Sequence, residues 1–184
     1  MAIELEFKFK IKEVDKERLE NRVALLLSDG EFKEFVKEDL YFKKDDFIRI
    51  RCDDKTLLIT KKIKNKTEQG YEINNEDELT FTTDFKESFI KLLNFLGYKE
   101  SFRKLKKGRM WHKENLTVEI VYVEKLGWFI ELEILLEDKA TAEEIKKSWL
   151  KLENIKRSLD LDDSNLESEN YRELLKEAKY QNGI

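Results

Sequence analysis

The amino-acid sequence predicts an α+β fold in which about eight antiparallel strands form a sheet or barrel with helices between them. Short segments alternate apolar and charged residues with a period of two, which is typical of half-buried strands. Other segments have the apolar spacing of amphipathic helices. The 184 residues include no proline and six glycines, and no linker, repeat or low-complexity tract interrupts the pattern. We therefore predict one continuous domain over residues 1–184.

Four segments are predicted to be helices that pack one apolar face against the rest of the protein. They cover residues 15–30, 84–97 and 141–159 and a last stretch that starts near Ser168. Asp15 is the expected N-cap of the first helix. The second and third helices begin with the spacing of a capping box, Asp84 with Glu87 and Thr141 with Glu144.

The remaining segments predict the strands. Alternation is clearest in the first, where apolar residues from Ile3 to Ile11 are interleaved with charged residues from Glu4 to Lys12. The predicted strands cover residues 3–12, 38–43, 47–52, 56–64, 70–82, 101–112, 116–123 and 128–137.

The charge balance excludes several classes of protein. Charged residues make up 41% of the chain, but 36 basic residues nearly cancel 40 acidic ones, which argues against a protein that binds nucleic acid through bulk positive charge. Hydrophobic residues make up 40%, which argues against a disordered chain. The single Cys52 fits a reducing compartment, and no apolar run has the length of a membrane span. We expect a soluble, cytoplasmic protein with no membrane or nucleic-acid partner.

Acidic and basic residues share the strand faces opposite the apolar ones. If the barrel closes with these faces inward, both sets line one cavity. Two carboxylates at i and i+2 suit a hard divalent cation, and guanidinium and ammonium groups suit phosphate oxygens. The alternative is a charged face that is merely exposed to water. The acidic residues are Glu4/Glu6, Glu76/Glu78 and Glu131/Glu133, and the basic residues are Lys8, Arg49, Arg51, one of Lys61 and Lys62, Lys107 and Arg109.

Several motifs resemble those of a known family. The stretch Glu4-Leu5-Glu6-Phe7-Lys8 is similar to the Glu-x-Glu-x-Lys signature of the CYTH proteins, also called triphosphate tunnel metalloenzymes. Further similarities follow in family order over nearly the whole chain. They are Asp39-Leu40-Tyr41-Phe42, Arg49-Ile50-Arg51, Ile59-Thr60-Lys61-Lys62, Lys107-Gly108-Arg109, Leu126–Glu133 and Asn170–Leu175.

The resemblance implies an eight-stranded tunnel that binds a triphosphate with Mg²⁺ or Mn²⁺, as two ions. Matching Ile59-Thr60 to the family's Leu-Thr pair favours Lys62 over Lys61 as its lysine. Relatives often carry an acidic residue ten positions before the equivalent of Glu131, where this chain has Val121, and Glu119 is the candidate substitute. The resemblance implies Glu4, Glu6, Glu131 and Glu133 as metal ligands, and the further predicted ligands are Glu76 and Glu78 from the acidic strand pattern and Glu119 as the substitute. The implied phosphate ligands are Lys8, Arg49, Arg51, Lys61 or Lys62, Lys107 and Arg109, of which Lys8, Arg51 and Arg109 are the predicted catalytic residues.

The reaction itself has alternatives. The segments Asp39–Phe42 and Leu126–Phe129 are most similar to class IV adenylyl cyclases, which implies conversion of ATP to cyclic AMP and pyrophosphate. The other readings are an inorganic tripolyphosphatase, a thiamine or nucleoside triphosphatase, and a non-catalytic sensor of polyphosphate or nucleotide. The oligomeric state stays open, with a homodimer as one alternative. No motif identifies an adenine site, and the basic run at Lys104, Lys106 and Lys107 is expected to be a solvated strand edge.

Overall fold

A computed structural model describes residues 2–52, 55–66 and 72–181 of the chain. The strands are β1 (Ala2–Ile11), β2 (Glu31–Lys43), β3 (Phe47–Cys52), β4 (Thr56–Lys66), β5 (Glu72–Thr82), β6 (Lys99–Lys113), β7 (Leu116–Val123) and β8 (Gly127–Glu137). The helices are α1 (Lys16–Leu26), α2 (Lys86–Phe95), α3 (Ala142–Ser158) and α4 (Tyr171–Gln181). None of these four helices is long and apolar enough to cross a membrane.

The eight strands close into a barrel in the order β1-β5-β4-β3-β2-β6-β7-β8. Every pairing is antiparallel, and β1 closes the barrel by pairing with both β5 and β8. The predicted α+β fold and eight-stranded antiparallel barrel are therefore confirmed. The largest difference is in β2, which begins at Glu31 instead of residue 38 because its first half pairs with β6. That half is rich in exposed charged residues, and its extended conformation comes from the long-range pairing.

The apolar faces of the strands point out of the barrel, where helices cover them. One core packs the outer faces of β1, β7 and β8 against α1 and α3, through residues such as Phe7, Leu19 and Leu152. A second core packs the outer faces of β2, β3 and β4 against α2 through Leu93. Because side chains alternate along a strand, this arrangement directs the charged residues into the barrel interior.

The helix starts agree only in part with the sequence patterns. Thr141 and Glu144 form the expected capping box at the start of α3. The second expected box is absent, because a short 3₁₀ turn, Thr83–Phe85, precedes α2 and makes Phe85 its N-cap residue. Asp15 occupies the N-cap position of α1, but its carboxylate accepts a hydrogen bond from Arg18 instead of capping the helix.

The last helix begins a few residues later than expected, at Tyr171. The side chain of Asn170 accepts hydrogen bonds from the backbone N–H groups of Arg172 and Glu173, at 3.1 and 3.3 Å. Asn170 therefore satisfies two of the free donors of the first helical turn, and this contact fixes the start of α4.

Replacing Thr141 with alanine removes the side-chain half of the α3 capping box. We expect this variant to lose about 1 kcal/mol of unfolding free energy, because the backbone N–H of Glu144 loses its acceptor. Thr141→Ser keeps the hydroxyl and should remain within a few tenths of a kcal/mol of the parent. Chemical denaturation of the three proteins measures the difference, and equal losses in both variants would contradict the assignment.

Candidate active site

The barrel encloses a cavity of about 570 Å³ whose walls are predominantly charged. Residues on all eight strands, in the β2–β3 connection and at the start of α4 line it, which brings together side chains from distant parts of the sequence. Its acidic lining residues are Glu4, Glu6, Asp46, Glu78, Glu119, Glu131 and Glu133. Its basic lining residues are Lys8, Lys37, Arg49, Arg51, Lys104, Lys106 and Arg172.

Asp39 on β2 is a fully buried carboxylate that holds two of these cations. Its Oδ1 lies 2.7 Å from Nε of Arg51, and its Oδ2 lies 3.0 Å from Nη2 of Arg51 and 2.9 Å from Nζ of Lys104. Burial alone would raise the pKa of Asp39, but the charges of Lys104 and Arg51 outweigh it and hold that pKa well below its usual range. The bidentate contact fixes the orientation of the Arg51 guanidinium beside the cavity.

A second cluster joins β6, β7 and β8. Nζ of Lys106 lies 2.5 Å from Oε2 of Glu119 and 2.5 Å from Oε2 of Glu131, two residues that are opposite in the β7–β8 register. Nζ of Lys37 lies 2.9 Å from Oε1 of Glu119. Burial opposes the charge on Lys106, but Glu119 and Glu131 raise its pKa above the usual value. The ammonium between them makes two facing buried carboxylates tolerable.

The beginning of α4 enters the cavity through Tyr171. Its hydroxyl donates a hydrogen bond to Glu131, and burial together with that carboxylate raises the pKa of Tyr171 well above its usual value. The ammonium groups of Lys8, Lys104 and Lys106 lie 4.8, 5.0 and 6.0 Å from the centre of its ring. Lys8 also donates to the backbone carbonyl of Glu169. The C-terminal segment is thus part of the site.

One end of the barrel interior is apolar. Val121, Val123 and Phe129 pack there against Tyr171 and other partly buried side chains. Val121 and Glu119 are on the same face of β7, so the position where relatives often have an acidic residue belongs here to this apolar end. Glu119 lies two residues farther into the barrel, among the cavity-lining residues.

The structure brings nine of the predicted site residues together in the cavity: Glu4, Glu6, Lys8, Arg49, Arg51, Glu78, Glu119, Glu131 and Glu133. Within this group, Nη2 of Arg49 lies 2.9 Å from Oγ1 of Thr60 and 3.4 Å from Oε1 of Glu78. Lys61 is outside the lining and forms a partly exposed ion pair with Asp46. The side chains of Lys62 and Glu76 lie outside the described part of the chain, although their backbones are opposite in the β4–β5 register.

The predicted positions of Lys107 and Arg109 are wrong. Arg109 contacts Glu20 on α1 at 2.7 Å and Glu34 at 3.0 Å on the outside of the barrel, away from the cavity where the sequence predicted a catalytic arginine. Lys107 is exposed beside the ring of Tyr122. The inward residues of β6 are instead Lys104 and Lys106, each only 5% exposed, where a solvated edge was expected. A shift of one residue in the assumed facing exchanges every side chain between the two faces of a strand.

Lys37 is a site residue that the sequence reasoning missed. The predicted second strand began at residue 38, so Lys37 was not assigned to any face. Burial lowers the pKa of Lys37 despite the opposing effect of Glu119. Asn170, Tyr171 and Arg172 were also missed as lining residues, although the similarity of the Asn170–Leu175 segment to a family motif was a usable signal.

The carboxylates can be compared with the needs of a divalent cation. Glu6 and Glu133 are opposite in the β1–β8 register, with Glu4 on the same face of β1. In the described residues, no three Asp, Glu, His or Cys side chains form a group that could hold a metal ion alone. Mg²⁺ is commonly held by one or two carboxylates, with substrate phosphates and water completing its shell. The oxygen donors fit such an ion, provided that phosphate oxygens complete the coordination.

The model of the CYTH domain family matches residues 2–165. The chain belongs to the CYTH domain family. This CYTH protein is also 29% identical over 191 residues to a Methanocaldococcus jannaschii protein that bears the provisional name adenylate cyclase, with 94% of this chain and 98% of the relative covered.

Two solved structures share the fold of this CYTH protein. A Pyrococcus horikoshii protein has a TM-score of 0.67 and 26% identity, with 95% of this chain and 98% of that chain covered. A Vibrio parahaemolyticus protein, also provisionally called an adenylate cyclase, has a TM-score of 0.70 and 15% identity, with the same coverage. At 15% identity, the comparison with the Vibrio protein shows a shared fold only.

Replacing Asp39 with asparagine leaves Arg51 and Lys104 without their buried counter-charge. We expect a loss of about 3–5 kcal/mol of unfolding free energy at pH 7. Because the pKa of Asp39 is lower in the folded protein, its stabilisation is present above the unfolded pKa of about 3.9 and is lost as the pH falls. The difference in unfolding free energy between the parent and Asp39→Asn should therefore become smaller below about pH 4, as measured by denaturation curves at each pH.

Asp29→Asn is the matched control, because Asp29 pairs with Lys113 on the exposed surface. This control should leave the midpoint of unfolding almost unchanged. If the difference in unfolding free energy between Asp39→Asn and the parent stays constant from pH 7 to pH 3, the role given to the ionised carboxylate is contradicted.

Proposed function

We propose that this CYTH protein is a divalent-metal-dependent enzyme that converts ATP to cyclic AMP and pyrophosphate. The observation that carries the proposal is the meeting of carboxylates from β1 and β8 with cations from β2, β3 and β6 in one cavity. Enclosed charges need partners of opposite sign. Several of these charges pair with one another in the structure, and a triphosphate with its metal ions offers an alternative partner to both kinds, anionic oxygens for the lysines and arginines and cations for the glutamates.

The basic groups divide into two kinds of phosphate ligand. Arg49 and Arg51 present planar forks from adjacent inward positions of β3, and forks of this kind bind phosphate oxygens through two donors. Lys8, Lys104 and Lys106 present ammonium groups around the ring of Tyr171. The pKa of Arg51 and that of Lys106 are raised by neighbouring carboxylates, although burial opposes this, so both groups carry their positive charge at neutral pH.

Glu4 and Glu6 on β1 and Glu131 and Glu133 on β8 are the residues we assign to hold Mg²⁺ or Mn²⁺. Two acidic pairs on neighbouring strands are in keeping with two ions. A bound divalent ion supplies neutralisation of phosphate charge and activation of the attacking hydroxyl. Glu119 and Glu78 lie in the same cavity and extend its acidic lining.

The chemical step requires in-line geometry more than covalent participation by the protein. The 3′-hydroxyl of ATP attacks the α-phosphorus and releases its proton to solvent, while the bond from that phosphorus to the β,γ-diphosphate breaks and pyrophosphate leaves with the electron pair. Arg51, held by Asp39, does not need to reorganise to bind phosphate oxygens, because its guanidinium is already fixed. Lys106 and Arg49 stabilise the negative charge that develops on the leaving group.

A triphosphatase is the second candidate, because the phosphate-binding groups alone would also hold inorganic tripolyphosphate. In that reaction water attacks the terminal phosphorus. A non-catalytic sensor was suggested by the missing acidic residue at Val121. Glu119 lies in the cavity opposite Glu131 and can supply the carboxylate that is missing at Val121, which argues against the sensor hypothesis.

The decisive assay is incubation of the purified protein with Mn²⁺ or Mg²⁺ and a panel of triphosphates, with products separated by chromatography. We expect cyclic AMP and pyrophosphate from ATP. Glu6→Gln should reduce turnover by at least about 100-fold, because one charged metal ligand is lost. Glu34→Gln, on the exposed outer face of β2, is the matched control and should retain the parent rate.

Orthophosphate from tripolyphosphate without cyclic AMP would favour the triphosphatase. Tight triphosphate binding without turnover under either metal would favour the sensor. Equal rates for Glu6→Gln and Glu34→Gln would remove Glu6 from the metal site.

Lys106 and Lys107 are neighbours on opposite faces of β6, because Lys106 lines the cavity and Lys107 is exposed outside it. Their variants therefore test which face of β6 points inward. We expect Lys106→Gln to weaken tripolyphosphate binding about 10- to 100-fold, because a charge-assisted contact is lost. Lys107→Gln should stay within about twofold of the parent. Calorimetric titration in the presence of Mn²⁺ measures both constants.

Because Lys106 is buried, circular dichroism must first establish that its variant is folded. Arg49→Gln is a second cavity variant, with the same expected direction. A larger loss in Lys107→Gln than in the two cavity variants would contradict the facing of β6.

A further inference from the structure

Two aromatic rings lie on the wall of the charged cavity. Tyr41 on β2 and Phe47 on β3 are half-buried lining residues, and neither is part of the three apolar clusters around and within the barrel. Large aromatic side chains usually contribute to a core. Apolar rings that border a highly charged cavity are therefore candidates for contact with an apolar part of a ligand.

Each ring already stacks on another planar group. The guanidinium carbon of Arg172 lies 4.2 Å from the centre of the Phe47 ring, and Oε1 of Glu173 accepts a hydrogen bond from Nε of Arg172 at 2.7 Å. The ring of Tyr41 is stacked on Phe102, with 4.2 Å between centroids and 10° between planes. These contacts restrict the orientation of each plane before any ligand enters.

This planar layer is adjacent to the phosphate-binding arginines. Phe47, Arg49 and Arg51 succeed one another on the inward face of β3, at intervals of about 7 Å. Tyr41 is opposite Arg49 in the β2–β3 register. A ligand whose phosphates contact Arg49 and Arg51 would therefore bring its next group toward Phe47, Tyr41 and Arg172.

We propose that Tyr41, Phe47 and Arg172 form a subsite for the nucleobase of a nucleoside triphosphate. The inference rests on the proposed function and deepens it, because it distinguishes a nucleotide from inorganic tripolyphosphate. Nucleobases stack on aromatic rings and on arginine planes. The subsite therefore adds affinity that depends on the base and is independent of the phosphate contacts.

Asp46 gives this subsite a polar edge. Its carboxylate lines the same cavity and accepts hydrogen bonds from Nζ of Lys61 at 2.6 Å and from the hydroxyl of Tyr98 at 2.7 Å. An ionised carboxylate is only an acceptor, so it pairs with an exocyclic amino group and not with a carbonyl oxygen. We therefore expect the subsite to favour adenine, which offers an exocyclic amino group, over uracil, whose single donor on the base edge is the ring N3–H flanked by two carbonyl oxygens.

The test compares ATP, UTP and tripolyphosphate as ligands in calorimetric titrations with Mn²⁺. We expect Phe47→Leu to weaken ATP binding about 5- to 100-fold and to leave tripolyphosphate within about twofold. Arg172→Lys keeps the charge but removes the plane, so it should have the same selective effect. Phe32→Leu, an exposed ring on the outer face of β2, is the control and should change neither constant.

The outcomes separate the two proposals. Parent protein that binds ATP more tightly than UTP, with selective losses in both variants, supports the nucleobase subsite. Equal binding of ATP, UTP and tripolyphosphate, with no selective effect of Phe47→Leu or Arg172→Lys, overturns the subsite and leaves the triphosphate site intact. Absence of binding by every triphosphate overturns the proposed function and the subsite together.

Discussion

Pairing of opposite charges inside a closed barrel is the constraint on which this structure depends. A carboxylate or ammonium taken out of water needs a partner, and removing one partner of a buried pair costs several kcal/mol. Asp39 meets this need for Arg51 and Lys104, and Lys106 meets it for Glu119 and Glu131. The interior is polar and yet well satisfied, so the barrel can keep a cavity where other folds have an apolar core.

The same constraint explains where the apolar residues lie. Because charged residues occupy most of the cavity lining, the apolar outward faces of the strands must be covered, and α1, α2 and α3 provide that cover. The fourth helix has a different position. Its first residues enter the barrel interior, where Tyr171 contacts Glu131 and the lysines around it. The C-terminal segment therefore joins the outer layer to the cavity.

Partner exchange is the physical consequence for binding. In the function that we propose, phosphate oxygens would compete with Glu119 and Glu131 for Lys106, and a divalent cation would replace that ammonium as the counter-charge of the glutamates. Either ligand alone would leave one sign of charge without a partner. Phosphate alone would leave the carboxylates unpaired, and a cation alone would be repelled by the lysines. In that function, metal and triphosphate would therefore assist each other's binding through the protein's own charge network.

The sequence by itself determined the strand alternation, the antiparallel barrel class, the α3 capping box and most inward charges, including Glu4, Glu6 and Arg51. These features are local, since alternation and capping depend on residues a few positions apart. The tertiary structure decided the facing of β6, the inclusion of Lys37 and the entry of Tyr171, because each depends on pairing or packing with remote segments. In β6, where polar residues occupy both faces, the sequence has no clear period of two. There, only the register against β2 and β7 could choose Lys104 and Lys106 over Lys107 and Arg109.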